Sequence, residues 1–424
     1  MRVIHEPLKH GPKCRVQLHV HLDGCIRHET IWEVMRRKGL KLPGSGSLAD
    51  LKLALQVQEP EDLLFFLSGF KIFLPAIKGD LAVIERIAHE FVEDQAKEYV
   101  AYCEARFCPH LLLPNDTTQF SVGKRLKGES RVNGTTDTTT EDGPAKDDEV
   151  TVDSILNAVL KGFSRGEEDF GTKVRVILCC IHGTSEWYWD ILRLCEEYRS
   201  KGVVGIDLAG YHECSDWSTE DQSLKEDRVL VEVFEAAREK GIHRTIHAGE
   251  AGPASTVKLA VEALGAERIG HGYRVVEDES IYQMCLKENI HFEVCPHSSY
   301  LTGSIGSLKT KSKRHPVLRF AEDEASFSIN TDDPTITNTQ LMDEYKLLTE
   351  WGFTEAHFTR ANFQAAIHSF LPIEEKKALV DQLHEAYGIV NFTLPSPTVS
   401  PSSTRTSTPP PKPSVTFGTW AERA

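Results

Sequence analysis

No two of the ten cysteines form a C-x-x-C pair. Cys103, Cys179, Cys180 and Cys295 instead sit inside apolar runs that read as strands. Buried free thiols in a reducing compartment are the simplest reading. Long apolar runs are also missing: no stretch approaches the roughly 20 residues that a membrane helix needs. Positive charge is in short supply, with 48 Lys and Arg against 63 Asp and Glu and a formal charge of −15. That balance argues against a phosphate-rich polymer as partner, because non-specific nucleic-acid binding needs a basic face. The opening residues carry Pro7, Lys9, Pro12 and Lys13 with no apolar run of secretory length. These absences lead us to expect a cytoplasmic protein that neither inserts into a membrane nor binds nucleic acid.

The 424 residues are 40% hydrophobic and 26% charged, an ordinary globular balance. The length suits one large α/β barrel, typically about 250 residues or more, with appendages. Short apolar or β-branched runs at 15–22, 102–109, 173–181, 203–209, 244–248, 268–271, 291–295 and 326–330 read as strands. Helical patterns lie between them, most clearly at 81–101 and 227–240, and Lys240-Gly241 supplies a stop signal. Eight strands with intervening helices predict a closed parallel (β/α)8 barrel with extra helices. An open doubly wound sheet is the alternative that the pattern permits. Residues 1–14 are expected to form an N-terminal segment and 15–390 a single domain. The polar stretch 115–148 reads as a disordered insertion, and the Pro/Ser/Thr-rich 391–424 as a disordered tail.

The chemistry-bearing residues gather at the ends of the expected strands. In His19-Val20-His21, alternation puts both imidazoles on one side of the first strand, one pleat apart and within reach of a single zinc ion. An H-x-H alone is weak, since most occurrences bind nothing. Asp23 follows at the strand's C-terminal end, where barrel enzymes keep their chemistry. His247-Ala248-Gly249-Glu250, Gly270-His271-Gly272 and Asp332-Asp333-Pro334 follow later strands. Taken singly, they read equally well as a core imidazole, a surface acid and a helix cap. Taken together, His19, His21, His247 and Asp332 make a mixed N/O shell for Zn2+ with a position left for water. Such an ion lowers the pKa of its water towards about 7. His271, Glu250 and Asp333 then supply the proton handling of a hydrolytic attack.

These segments, with Asp207-Leu208-Ala209-Gly210 and the run from Cys295-Pro296-His297-Ser298 to Gly303, closely resemble the adenosine deaminase family. They stand in the family's order from near the N-terminus to about residue 390. The resemblance implies a (β/α)8 barrel with one zinc ion per subunit on His19, His21, His247 and Asp332. It implies hydrolysis of adenosine and 2′-deoxyadenosine to inosine and 2′-deoxyinosine plus ammonia, by zinc-bound hydroxide attacking C6, in purine salvage. Glu250 would protonate N1, and His271 would orient and deprotonate the attacking water. Asp333 would face N7, the Gly210 N–H would meet N3, and Asp23 would bind the ribose 5′-hydroxyl. Leu63, Phe66 and Phe70, at helical spacing, match the family's apolar gate, although the same spacing also makes a core stripe. The expected partner is the small-molecule substrate, with protein partners left open and the protein a monomer.

The sequence departs from the family pattern at Tyr211-His212, at His297 where Trp is usual, and in the 115–148 insertion and the tail. A deaminase of AMP or N6-substituted AMP is the nearest rival. Asp23 opposes it, because a 5′-phosphate would meet a like charge there. Nucleobase deaminases with H-x-E and P-C-x-x-C signatures do not fit a chain without C-x-x-C. A barrel that had kept its fold but lost turnover would be expected to have damaged one of the seven groups, and all are present.

Overall fold

A computed structural model describes residues 14–114, 150–211, 224–305 and 314–388. Eight strands alternate with helices: β1 Arg15–His21, β2 Val100–Phe107, β3 Lys173–Ile181, β4 Val203–Ala209, β5 His243–Ala248, β6 Arg268–His271, β7 His291–Val294 and β8 Ser326–Ile329. Each pairs in parallel with the next, in the order β1 to β8. This sequential order is that of a barrel and rules out the open doubly wound sheet, whose order must reverse at a switch point.

Ladder pairing alone does not join β8 to β1. The seam is closed by a parallel bridge between Val20 and Asp332. His21 N–H donates to the Asp332 carbonyl at 2.9 Å, and Asp332 N–H donates to the His19 carbonyl at 3.2 Å. The Asn330 side chain extends the seam, its Oδ1 accepting from Leu18 N at 2.8 Å and His19 N at 3.1 Å. Closing the barrel therefore sets Asp332 beside the two histidines of β1.

The strands are near-continuous apolar runs, as in β3 (KVRVILCCI), because a parallel sheet under helices has no solvent face. Val83, Ile87 and Phe91 form the buried stripe of the helix Leu81–Lys97, which Asp80 caps by accepting from Val83 N. The expected helix 81–101 ends earlier than its pattern, since Tyr99 turns left-handed at φ 57° and Val100 already opens β2. The expected strand 102–109 accordingly begins two residues sooner. The expected helix 227–240 is Leu224–Glu239, and the turn after it passes through Gly241 at φ 62°. No helix among the described residues is long and apolar enough to cross a membrane. The expectations for 1–13, 115–148 and 391–424 lie outside the described residues.

Candidate active site and metal centre

The C-terminal ends of β1, β5, β6 and β8 meet at one mouth. His19 Nε2 lies 3.1 Å from Asp332 Oδ1, and His21 Nε2 lies 3.3 Å from the same oxygen. His21 Nε2 is 3.2 Å from His247 Nε2. One donor atom from each of His19, His21, His247 and Asp332 thus falls within 4.8 Å of the others. Three imidazoles and one carboxylate converging at this spacing suit a borderline-soft divalent cation. The rings are also turned correctly for one. His19 Nδ1 is 2.8 Å from Glu293 Oε2, and His247 Nδ1 is 3.1 Å from Asp207, which leaves both Nε2 atoms aimed at the cluster. Ser298 Oγ donates to Asp332 Oδ2 at 2.6 Å, leaving Oδ1 for the shared position.

Backbone geometry is unusual at these points. Asp332 and His271 are non-glycine residues at φ 66° and 62°, a region that costs energy and concentrates at functional sites. Gly270 is needed beside them, because a Cβ there would sit 2.9 Å from His19 Cε1. At Gly24 the demand is stronger: a Cβ would lie 1.7 Å from Asp333 Oδ1. The Asp23-Gly24 pair after β1 is therefore what lets Asp333 approach.

Next to the donor cluster lies a group of buried acids. His271 Nε2 is 3.7 Å from Glu250 Oε2 and 3.9 Å from Asp332 Oδ2. Burial, with the Asp332 carboxylate nearby, pushes Glu250 up to about 8, so its carboxyl holds a proton at neutral pH. Burial holds His271 well below its ordinary value, as a neutral imidazole. Burial also raises Asp23 and Asp333, the latter helped by the neighbouring Asp332. Asp333 occupies the N-cap position of the helix Pro334–Thr337 yet makes no side-chain cap bond. Its carboxylate faces the mouth instead of serving the turn that Asp-Pro normally announces.

A cavity opens beside His247 and Glu250, lined also by Leu63, His182 and Gly210. Gly210 is at φ 93°, an angle that favours glycine. Of the three expected gate residues, Leu63 reaches this cavity, whereas Phe66 and Phe70 are buried in the hydrophobic core. Gly69, at the junction of the helices Leu63–Ser68 and Phe70–Ile77, keeps helical dihedrals of φ −56° and ψ −36°. Tyr211 is half-buried, and His212 lies outside the described residues. His297 turns to the buried Glu344, with its Nδ1 and its backbone N–H each 3.0 Å from Oε2.

Reading along the chain singled out no role for Asp207, Glu293, Ser298 or His182. A charge inside an otherwise apolar strand, as in β7 (HFEV), was the available signal for Glu293. His182 sits just past β3, at the same end of the barrel as the donor cluster.

The family model for adenosine deaminase matches residues 12–386. The adenosine deaminase of Danio rerio is 43% identical over 90% of this chain and 97% of its own length. That of Mus musculus is 43% identical over 88% of this chain and 97% of its own. Among solved structures, an adenine deaminase from Arthrobacter aurescens superposes with a TM-score of 0.68 at 21% identity, covering 89% of this chain and 100% of that one. This last likeness concerns the fold, an eight-stranded barrel with its helices. The sequence match is of a different order, running through all eight strands and every segment of the mouth, and by it the chain belongs to the adenosine deaminase family.

Proposed function

We propose that the chain hydrolyses adenosine and 2′-deoxyadenosine to inosine and 2′-deoxyinosine plus ammonia, with one zinc ion held by His19, His21, His247 and Asp332. The observation that carries this reading is the meeting of that donor set with a buried, protonated Glu250 and a neutral His271. Zinc, when bound, supplies a water made acidic enough to give up a proton near neutral pH.

The chain's own residues supply the rest. Glu250 donates its proton to N1 of the purine, which draws electron density from C6 and opens that carbon to water. His271, beside Glu250 and Asp332, accepts a proton from the water and then faces the new C–O bond as a donor. C6 becomes tetrahedral; the exocyclic nitrogen takes the proton held by His271 and leaves as ammonia as the C6–N bond breaks, and the C6 hydroxyl gives its proton back to Glu250 as the carbonyl of inosine forms. Asp333 faces N7, and the Gly210 N–H donates to N3 from the cavity wall. Asp23 meets the ribose 5′-hydroxyl. A buried acid there is a poor neighbour for a 5′-phosphate, which selects nucleosides over nucleotides. Leu63 forms the apolar edge over the base, with Phe66 and Phe70 as its support.

The same reading takes residues 15–390 as one catalytic unit and the protein as a cytoplasmic monomer in purine salvage. The described cysteines support the location: all are free thiols, and all but the half-buried Cys25 are buried.

Loss of the adenosine absorbance band tests the proposal, run on wild type and Glu250→Gln with AMP in parallel and zinc content measured. Turnover of adenosine but not AMP, abolished in the variant with zinc retained, is the expected result. Turnover of AMP alone would overturn the substrate and the role of Asp23. No turnover of either by the zinc-loaded protein would leave a binding protein.

A further inference from the structure

Behind the donor cluster, Arg106 on β2 is fully buried and touches three things at once. Its Nη1 donates to Asp207 Oδ2 at 3.0 Å. Its Nη2 donates to Glu293 Oε2 at 2.6 Å and to the Leu18 carbonyl, one residue before His19, at 2.7 Å. Asp207 and Glu293 are the two carboxylates that face Nδ1 of His247 and of His19. One rigid guanidinium fork therefore spans the supports of two histidines that stand on different strands.

We propose that Arg106 is a positioning residue for the metal centre, aiming His19 and His247 together by holding both of their carboxylate partners. The inference rests on reading His19, His21, His247 and Asp332 as the metal ligands. A guanidinium suits the task because its donors lie in one plane at fixed angles, so the separation of the two carboxylates is set by covalent geometry. Each carboxylate in turn sets the direction of one imidazole, and ring direction governs how well a ligand holds its ion.

The two arms are not equally dependent on Arg106. Glu293 Oε1 is also held by Thr245 Oγ1 at 2.8 Å and Arg268 Nε at 2.7 Å. Besides Arg106 and His247, Asp207 is met among the described residues only by the Cys179 thiol, which donates to Oδ2 at 3.6 Å. Loss of the fork should therefore loosen the His247 arm first. This asymmetry separates a positioning role from that of a strut in the barrel core, which would weaken the whole fold without favouring one ligand.

The test loads wild type, Arg106→Lys, Arg106→Met, Asp207→Asn and the Arg106→Lys/Asp207→Asn double variant with zinc. Its release into excess pyridylazoresorcinol is then followed by absorbance, at a temperature where circular dichroism shows each protein folded. Lysine keeps the charge but loses the fork; methionine keeps the stem and loses both. We expect release about tenfold faster for Arg106→Lys and closer to about 100-fold for Arg106→Met. The double variant should release zinc little faster than Asp207→Asn alone, since Glu293 keeps Thr245 and Arg268 and the loss of the fork acts chiefly through Asp207 and His247. Release at the wild-type rate from either Arg106 variant, with a lower melting temperature of the metal-free protein, would overturn the proposal and leave a strut. Effects that multiply in the double variant would also overturn it. Wild type that takes up no zinc would refute the ligand reading itself, a result distinct from either.

Discussion

On the side of the mouth built by β1, β5 and the β8 seam, His19 and His247 each have a carboxylate partner behind the ring, and Asp332 has a serine. Further along the chain from β1 and β8, and on β6, Asp23 Oδ1, Asp333 Oδ1 and His271 Nδ1 are also buried but have no hydrogen-bond partner among the described residues. A buried polar atom left unmet costs about 1–3 kcal/mol. The first region is thus organised by the protein for a cation. The second holds buried polar atoms that the described residues leave unmet. The difference teaches that a site can be rigid in one half and unsatisfied in the other, and that substitutions in the two halves should fail differently.

The comparison is broken most severely by removing the metal. Dialysis against a chelator, or His247→Ala, should abolish turnover, with zinc restoring the chelated wild type but not the variant. An unchanged rate in metal-free protein would end the distinction between the halves. Glu250→Gln comes next, with kcat lower by about 10²–10⁴-fold while zinc content stays at one per chain. The pH profile belongs to the same residue. Its carboxyl must be protonated to donate, so kcat/KM should fall as pH rises through about 8 and the alkaline limb should vanish in the variant.

Stability sharpens the contrast. Arg268 is buried between Glu104 and Glu293, at 2.6 and 2.7 Å. Arg268→Met should lower the free energy of unfolding in urea by about 3–5 kcal/mol, because it leaves two buried carboxylates short of a partner. Asp23→Asn, in the unsatisfied half, should move the same measurement by less than about 1 kcal/mol. Its effect is expected in kinetics: KM for adenosine up by about tenfold, with discrimination against AMP reduced. Equal losses of stability in the two variants would show that the halves are built alike.

Much of this was readable along the chain, for identifiable reasons. Strands of a parallel barrel are short apolar runs, so their positions come through with errors of at most one or two residues: β4 matches at both ends, β1 ends one residue sooner and β2 is shifted by two. A period of two places His19 and His21 on one face whatever the rest of the chain does. The supporting residues were harder to see. Asp207 and Glu293 read as stray charges in apolar strands until the rings they hold are in place. The gate spacing at Leu63, Phe66 and Phe70 is helical, but close packing in the core decides that only Leu63 of the three reaches the cavity. The need for Gly24 is invisible without Asp333, which arrives from the far end of the barrel.

The amino-acid sequence by itself determined the donor chemistry, the count of strands and the end of each strand at which the polar residues cluster. These follow from local rules of side-chain type and backbone period. Only the tertiary structure decided which donors meet. Asp332 reaches the histidines because β8 closes on β1 through the Val20–Asp332 bridge. Glu250 keeps its proton because neighbours from several strands bury it. Both depend on contacts between distant parts of the chain, and no local pattern encodes a distance across a barrel.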